Sequence, residues 1–342
     1  MSDDAGRRKD ANQLRDIIVA ILVRAGSDRQ RAAVQADVLV EAELRGHPSH
    51  GLRRVPVLVG RLQRGLLISG AEPEFEWSTP NVLRVDGRGG FGPVVGFAAA
   101  ELIASRARET GVAVAAIRRA HHLGMLAPYV ECIVAAGCAA IVFTTSEALV
   151  HPWNGARALV GTNPIGIGIP TTDEPVILDM STGATSAGRV RDYAARGQEL
   201  PEGWAVDAEG VPTTDAAAAV QGAISPFGGP KGYALGVAFE ILVGSLTATA
   251  FGEAVRGTLD IDHDVTKGDV MIALHLDAFG GVGSTALREY IDVLRASGAS
   301  GGVVDVPGDR SRRTRMRSLE EGVDVDPEMW STLLALAEER AP

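Results

Sequence analysis

The spacing of apolar residues along this chain changes twice, and each change marks a change of secondary structure. In the first segment Leu14, Ile18 and Leu22 recur every four residues, which is typical of an amphipathic helix. Near Glu74 short strand-like runs begin to alternate with helical stretches, and from Gly283 the pattern is helical again. Such alternation is typical of an α/β domain. The sequence therefore predicts a mixed α/β body between helical ends.

Capping residues support the helices predicted at both ends. Ser27 and Gln30 have the spacing of a capping box, which predicts that a second helix begins there. A third helical stretch covers residues 52–64. Near the end of the chain, Asp326 can cap a last helix in which Pro327 takes the favoured first position.

The middle of the chain predicts a sheet and the helices that cover it. The expected strands are residues 81–86, 112–117, 139–144, 165–169, 176–178 and 270–276. The expected helices are residues 93–110, 127–136, 231–247 and 284–296, of which 231–247 is predicted to be largely buried. These elements predict an α/β domain over residues 73–283, inserted into a helical module made of residues 10–72 and 284–342.

Composition narrows the class of protein. The 342 residues carry a net charge of −10, which argues against nonspecific nucleic-acid binding, and the basic tract at residues 310–317 is interpreted as a solvated segment. Cys132 and Cys138 have the spacing of neither a zinc knuckle nor a redox pair. The polar start resembles no signal peptide, and no apolar run is long enough to cross a bilayer. We therefore expect a cytoplasmic protein that does not contact membranes.

The segment GRGGFG, residues 87–92, has the spacing of a dinucleotide-binding fingerprint and lies between a predicted strand and a predicted helix. A Rossmann unit also needs an acidic residue after the next strand to bind the ribose. Arg118 and Arg119 occupy that place, and they could suit a 2′-phosphate. We interpret the segment as a tight turn.

Four polar segments carry residues that a core or a solvated helix would not need. They are RGHPSHGLRR at residues 45–54, HHLG at 121–124, HPWNG with GTNP at 151–155 and 161–164, and LDMST at 178–182 with GPKGY at 229–233. Histidine suits proton exchange near neutral pH, and arginine suits a carboxylate. Each segment also has a structural alternative: a surface helix start, a buried histidine, two loops, or a solvated lysine. Metal binding by His47 and His50 lacks supporting acidic or thiolate ligands, so no metal is expected.

Together these segments resemble the malate/L-lactate/ureidoglycolate dehydrogenase family, which also contains sulfolactate dehydrogenases and cyclic-ketimine reductases. The resemblance covers nearly the whole chain and includes GTNPIGIGIP, PFGGPKGYAL and LTATAFG. It implies a homodimeric enzyme with a non-Rossmann, sulfolactate-dehydrogenase-like fold. The implied reaction interconverts a small-molecule 2-oxo acid and a 2-hydroxy acid with NAD or NADP.

The family pattern also implies roles for individual residues. His122 matches the catalytic acid/base, and Ser49, His50 and Arg54 match the substrate-binding segment, with Arg54 on the substrate carboxylate. The cofactor-contacting positions match Ser146, Met180, Ser181, Thr182 and Lys231, with Asp179 as a supporting group.

Two positions depart from the pattern, and two other functions stay open. His121 stands where many members have asparagine, and Leu58 stands where many have tyrosine, which predicts a more apolar substrate pocket. One alternative is a reductase of cyclic imino acids on the same scaffold. The other is a non-enzymatic relative that binds a nucleotide or metabolite, against which His122, Arg54 and Lys231 count.

Overall fold

A computed structural model describes residues 7–280, 284–299 and 302–338. The predicted change of pattern at Gly283, the first six residues and the last four lie outside this part of the chain.

Helices and strands alternate through the central part, as the sequence predicts. The helices, in chain order, are α1 (Ala11–Arg24), α2 (Arg29–Leu44), α3 (Val55–Gln63), α4 (Gly92–Thr110), α5 (Ala127–Ala135), α6 (Ala187–Ala195), α7 (Ala216–Gln221), α8 (Pro230–Thr247), α9 (Ser284–Ala296), α10 (Asp309–Glu321) and α11 (Pro327–Glu338). The strands are β1 (Arg8–Lys9), β2 (Glu74–Thr79), β3 (Val82–Gly90), β4 (Val112–Ala120), β5 (Cys138–Thr144), β6 (Ala148–Val150), β7 (Val160–Gly161), β8 (Ile165–Ile169), β9 (Val176–Met180), β10 (Ala205–Val206), β11 (Pro212–Thr213), β12 (Ala223–Ile224), β13 (Gly268–His275) and β14 (Val323–Asp324). Short 3₁₀ turns at Pro48–His50 and Leu52–Arg54 precede α3.

A seven-stranded mixed sheet forms the centre, in the order β2-β3-β4-β13-β5-β8-β9. Strands β3 and β4 are parallel and joined by α4, whereas the other neighbours are antiparallel. Because side chains alternate along a strand, Val142 packs under α4 and α5, while the next residue, Phe143, packs against Val243 of α8. Both faces of the sheet are therefore covered, and the predicted mixed α/β class is confirmed.

The helical layer is built from both ends of the chain. Leu14 of α1, Leu39 of α2 and Val55 of α3 share one buried cluster with Leu333 of α11. At the edge of this cluster β1 pairs with β14, with Arg8 opposite Asp324. Asp326 caps α11 as predicted, because its carboxylate accepts hydrogen bonds from the amides of residues 328 and 329 at 2.9 and 3.2 Å.

A smaller five-stranded sheet, in the order β11-β10-β12-β6-β7, packs against α6 and α7. Val150, Val190 and Ile224 are buried between these elements. This layer holds α6 beside the segment that precedes α3, through an ion pair between Arg53 and Asp192 at 2.5 Å.

The predicted capping box is wrong by one residue. Asp28 has extended backbone angles and its carboxylate accepts from the Arg31 amide at 2.9 Å, so Asp28 and not Ser27 caps α2. The Ser27 hydroxyl donates instead to the carbonyl of Asp28 at 3.0 Å. Aspartate competes with serine for the same cap, and the sequence spacing alone did not separate the two.

The glycine-rich segment is also more than a turn. Strand β3 continues to Gly90, with a bend at Arg88 and Gly89 where φ is positive, and α4 begins at Gly92. A Cβ on Gly87 would lie 2.8 Å from the carbonyl oxygen of Arg119. These glycines therefore serve close packing of backbone against the end of β4.

Helix α8 is not largely buried. Leu235, Leu242 and Leu246, which recur on one face, are 43%, 43% and 52% exposed. Because an apolar helix can be covered by a partner as well as by its own chain, composition could not distinguish these two environments. No helix in the described ranges is long and apolar enough to cross a membrane.

Candidate active site

A cavity of about 690 Å³ lies where the helical layer, the ends of the central strands and α6 meet. It brings together most of the residues predicted from the sequence: Ser49, His50, Arg54, His122, Ser146, Met180 and Ser181. These residues come from distant parts of the chain, and the sheet and the helical layer place them around one space.

Backbone packing fixes His122 just beyond the end of β4. A Cβ on Gly92, at the start of α4, would overlap the carbonyl oxygens of His121 and His122, so this glycine lets the two segments touch. The Gly124 amide donates a hydrogen bond to His122 Nδ1 at 3.2 Å. In the neutral ring Nδ1 is thus an acceptor, and Nε2 carries the proton.

The surroundings of His122 favour its neutral form. Burial lowers the pKa of His122 well below its usual 6.5, and the positive charge of Arg54 lowers it further. His50 and Lys267 act in the same direction. An anionic ligand near Arg54 would oppose this effect and raise the pKa.

His50 lies beside His122 with its ring stacked, the two centroids 5.4 Å apart. The hydroxyl of Ser49 lies 3.0 Å from His50 Nδ1. Burial lowers the pKa of His50 to about 3, so this ring is neutral at physiological pH. A Cβ on Gly51 would overlap the Glu43 side chain, which accepts from the Leu52 amide at 2.7 Å and holds the turn in place.

Arg54 is a buried cation whose hydrogen bonds go to backbone carbonyls. Its Nε donates to Ser49 O at 2.9 Å, and its Nη1 donates to Thr258 O at 3.2 Å. Glu147 steadies this arrangement by accepting from the amides of Thr258 and Leu259 at 2.7 and 2.8 Å. Burial lowers the pKa of Arg54 to about 10, so it keeps its charge at neutral pH. Within the described residues it pairs with no carboxylate, and a ligand carboxylate fits this guanidinium.

Asp179 supports the opposite wall. Its carboxylate accepts from the amides of Leu126 and Ala127 at 2.7 and 2.8 Å and thereby caps α5 from β9. Burial raises the pKa of this group. Because Met180 and Ser181 follow directly, the cap fixes their position against the segment after His122.

The other predicted cofactor positions differ in their surroundings. Ser146 lines the cavity, and its Oγ accepts from the Thr162 amide at 2.8 Å. Thr182 is buried next to the lining, and its hydroxyl donates to Thr162 O at 2.9 Å. Lys231 is exposed at the start of α8 and does not line the cavity.

The sequence reading missed Thr185, which suits a bound cofactor. Thr185 lines the cavity, and its buried hydroxyl has no hydrogen-bond partner among the described residues. Next to it Ser186 caps α6, which starts at the cavity wall, and Arg189 and Arg191 also line it. An orphan hydroxyl, a helix N-terminus and two arginines form a donor set that fits a phosphate-containing cofactor. The only signal in the sequence was the cap residue before residues 187–195.

His121 points away from the cavity. Its Nδ1 accepts from Arg61 Nε at 3.3 Å, and its Nε2 donates to Leu66 O at 2.9 Å. Burial lowers its pKa to about 3. Both ring nitrogens of His121 therefore have partners within the protein, whereas His122 lines the cavity.

Comparison with known proteins identifies the family of this chain. The family described as malate/L-lactate dehydrogenase matches residues 10–334. The L-sulfolactate dehydrogenase of Methanothermobacter thermautotrophicus is 36% identical over 94% of this chain and 94% of its own length. A Δ1-pyrroline-2-carboxylate/Δ1-piperideine-2-carboxylate reductase of Pseudomonas aeruginosa is 34% identical over 97% of this chain and 99% of its own length.

Solved structures of similar proteins share the fold of this chain. The crystal structure of a dehydrogenase from Sinorhizobium meliloti superposes with a TM-score of 0.92 and 44% identity, covering 96% of this chain and 98% of that one. The chain belongs to the malate/L-lactate dehydrogenase family. The family resemblance, the fold class and the oxidoreductase class expected from the sequence are thereby confirmed.

Proposed function

We propose that this dehydrogenase interconverts a 2-oxo acid and the corresponding 2-hydroxy acid with NAD or NADP, using His122 as the acid/base. The observation that carries the proposal is that two groups meet in one cavity. His122 has Nε2 left for a ligand, and Arg54 is a buried cation that pairs with no carboxylate in the part of the chain that the structure describes. A carbonyl next to a carboxylate needs both groups at once.

Arg54 would bind the substrate, and His122 would transfer the proton. Arg54 binds the carboxylate and orients the neighbouring carbonyl, while His50 and Ser49 line the same side of the cavity. The nicotinamide supplies or accepts the hydride when it is bound. In reduction the ring protonated on both nitrogens gives its Nε2 proton to the carbonyl oxygen and becomes neutral, with the proton on Nδ1. In oxidation that same Nδ1–H form takes the hydroxyl proton at Nε2, so in both directions the working ring gives up the hydrogen bond from the Gly124 amide.

The cofactor would lie against the wall formed by Ser146, Met180, Ser181 and Thr185. Thr182 supports this wall from behind through Thr162. Lys231 stays a proposed cofactor contact, although its exposed position requires a long ligand or a rearranged side chain. Thr185→Val tests the wall, because it removes the orphan hydroxyl at nearly constant volume, and we expect weaker NAD(P)H binding measured by fluorescence titration. Thr79→Val, on the outer strand β2, is the matched control.

The central experiment follows NADH and NADPH oxidation with pyruvate, oxaloacetate, sulfopyruvate and a cyclic ketimine. Turnover of a 2-oxo acid supports the proposal, and turnover of the ketimine alone supports the reductase alternative that the Pseudomonas relative suggests. Arg54→Lys should raise the KM for the acid at least tenfold, because a bidentate contact to the carboxylate is lost. Arg64→Lys, at an exposed ion pair, is the control. Measurable cofactor binding without any turnover would overturn the enzymatic proposal.

The homodimer is proposed on the exposed face of α8. Leu235, Leu242 and Leu246 form an apolar strip that a second copy could cover. Analytical ultracentrifugation should give a molecular mass twice that of one chain. In Leu242→Glu the measured mass should fall towards that of a single chain. A single-chain mass for the unmodified protein would overturn this part of the proposal.

We propose the division into residues 73–283 and a helical module from residues 10–72 and 284–342, for which the shared buried cluster of α1, α2, α3 and α11 is support. Limited proteolysis tests it. The cytoplasmic location is tested by cell fractionation.

A further inference from the structure

A second, much smaller cavity adjoins the active-site cavity. Its volume is about 20 Å³, enough for one water molecule. His122, Arg54 and Thr258 line both cavities, so these side chains stand between them. Gln35 of α2 and Arg61 of α3 line the small cavity only.

Gln35 is the unusual member of this lining. It is 3% exposed, and its Oε1 atom makes no hydrogen bond to any described residue. Its neighbours on the same side of α2, Ala32, Ala36 and Leu39, are all buried apolar residues. A buried amide oxygen without a partner is costly, so its presence at a core position indicates a partner that is not protein.

The other polar side chains around the small cavity either make hydrogen bonds within the protein or are hydrogen-bond donors, unlike the acceptor Gln35 Oε1. Arg61 donates to Asp260 O at 2.8 Å and to His263 O at 2.9 Å, as well as to His121. Both nitrogens of His121 are also occupied. This leaves Gln35 Oε1 as the acceptor without a partner among the described residues, on a side chain that lines the same cavity as His122 and Arg54. A water molecule can join such groups, because it both donates and accepts.

We propose that the small cavity binds one water molecule that donates to Gln35 Oε1 and turns its oxygen towards His122. Gln35 is then a positioning residue that acts on His122 through this water. The role assigned to the water rests on the proposed acid/base function of His122.

The charges around His122 explain why such a water would matter. The groups that face it from the packed elements are Arg54, Arg61, His50, His121 and Lys267, the last paired with Asp269 at 2.5 Å. Burial and the positive charges of Arg54 and Lys267 lower the pKa of His122. A water oxygen held towards the ring has the opposite effect, since its lone pairs stabilise the protonated form.

The test compares Gln35→Met, which removes the acceptor and keeps the length of the side chain, with Gln30→Met at an exposed position of the same helix. We expect Gln35→Met to lower the half-maximal pH of kcat for 2-oxo acid reduction by about one unit, and kcat at pH 7 roughly tenfold. Gln30→Met should change neither. Gln35→Glu should move the half-maximal pH upwards, because it adds a negative charge.

A high-resolution crystal structure gives an independent readout. Water density between Gln35 and His122 in the unmodified protein, lost in Gln35→Met, supports the binding site. Absence of that density overturns it, and an unchanged pH profile in folded Gln35→Met overturns the role of Gln35. If Gln35→Met does not fold, the Gln35→Glu profile decides the same question. If the unmodified protein turns over no 2-oxo or imino acid, the proposed function fails, and the water density alone decides the binding site.

Discussion

The Gly124 amide and His122 Nδ1 lie 3.2 Å apart, and this one hydrogen bond decides which nitrogen of the ring meets a ligand. Gly124 can donate in this way because its φ is +85°, a conformation that suits glycine. A Cβ there would also lie 2.8 Å from Val38 Cγ1. The glycine of the HHLG segment thus orients the histidine two residues before it.

The two adjacent histidines should respond differently to substitution. His122→Ala should lower kcat by roughly 10²–10⁴-fold, because it removes the acid/base group, while cofactor affinity stays near that of the unmodified protein. His121→Asn should keep most of the activity, because both nitrogens of His121 serve structural partners. Steady-state assays and a cofactor titration on both variants check this. Full activity of His122→Ala with an inactive His121→Ala would show that the roles are reversed.

The pH dependence of reduction follows from the low pKa of His122. The free enzyme holds the ring neutral above pH 6.5, and reduction needs the charged ring. We therefore expect kcat/KM for the 2-oxo acid to keep rising as the pH falls from 8 through 6.5. The kcat profile should have its midpoint at higher pH, because the bound carboxylate offsets the charge of Arg54. The kcat/KM for oxidation of the 2-hydroxy acid should change little between pH 7 and 9. If kcat/KM for reduction reached its plateau at a pH above 6.5, this explanation would be wrong.

Stability should fall on mild acidification because histidines are buried in the neutral state. The pKa of both His50 and His121 is about 3 in the folded protein, against 6.5 for an exposed ring. Between pH 3 and pH 6.5 the unfolded chain binds more protons than the folded protein does. The contribution of these neutral rings to the free energy of unfolding is therefore fully present above pH 6.5 and is lost as the pH falls towards 3. Each ring contributes a slope of up to about 1.4 kcal/mol per pH unit.

Urea unfolding at pH 6.5, 5.75 and 5 measures this slope. His121→Asn should have a shallower slope than the unmodified protein, since one of the buried rings is gone. Equal slopes for the two proteins would mean that His121 is not responsible.

The contact between Gly92 and the histidine pair gives a further prediction. Gly92→Ala should destabilise the protein by about 1–3 kcal/mol, because the new Cβ overlaps the carbonyl oxygens of His121 and His122. It should also lower kcat, since His122 must shift. Gly70→Ala is the matched control, because nothing lies within 4 Å of a Cβ there. Thermal unfolding and kcat of both variants are the measurements, and equal behaviour of the two would exclude a role for the close contact.

Local patterns predicted much of the fold. The strand predicted at residues 165–169 is β8 itself, and the run at residues 112–117 is the first part of β4. These segments carry regular apolar spacing, so neighbouring residues alone specify them. The exposed face of α8 could not be found in this way, since its residues are as apolar as those of a buried helix.

The residues of the candidate site also fall into two groups, those that the local sequence indicates and those that it does not. The segments around His50 and His122 stand out because several polar residues and a glycine occur together. Thr185 and Gln35 carry no such signal, because each is a single polar residue whose meaning depends on an unpaired atom beside a cavity. Only the tertiary arrangement reveals that condition.

The pairing of Arg8 with Asp324 has a consequence for the order of folding. Residues 8 and 324 are joined only after almost the whole chain has been synthesised, and α11 must still dock beside α1. The cavity wall that carries Ser49, His50 and Arg54 belongs to the helical layer, although this segment lies near the start of the chain and is synthesised early. The proposed substrate-binding wall would therefore be completed late in biosynthesis, after the strands of the central sheet beside His122 have been synthesised.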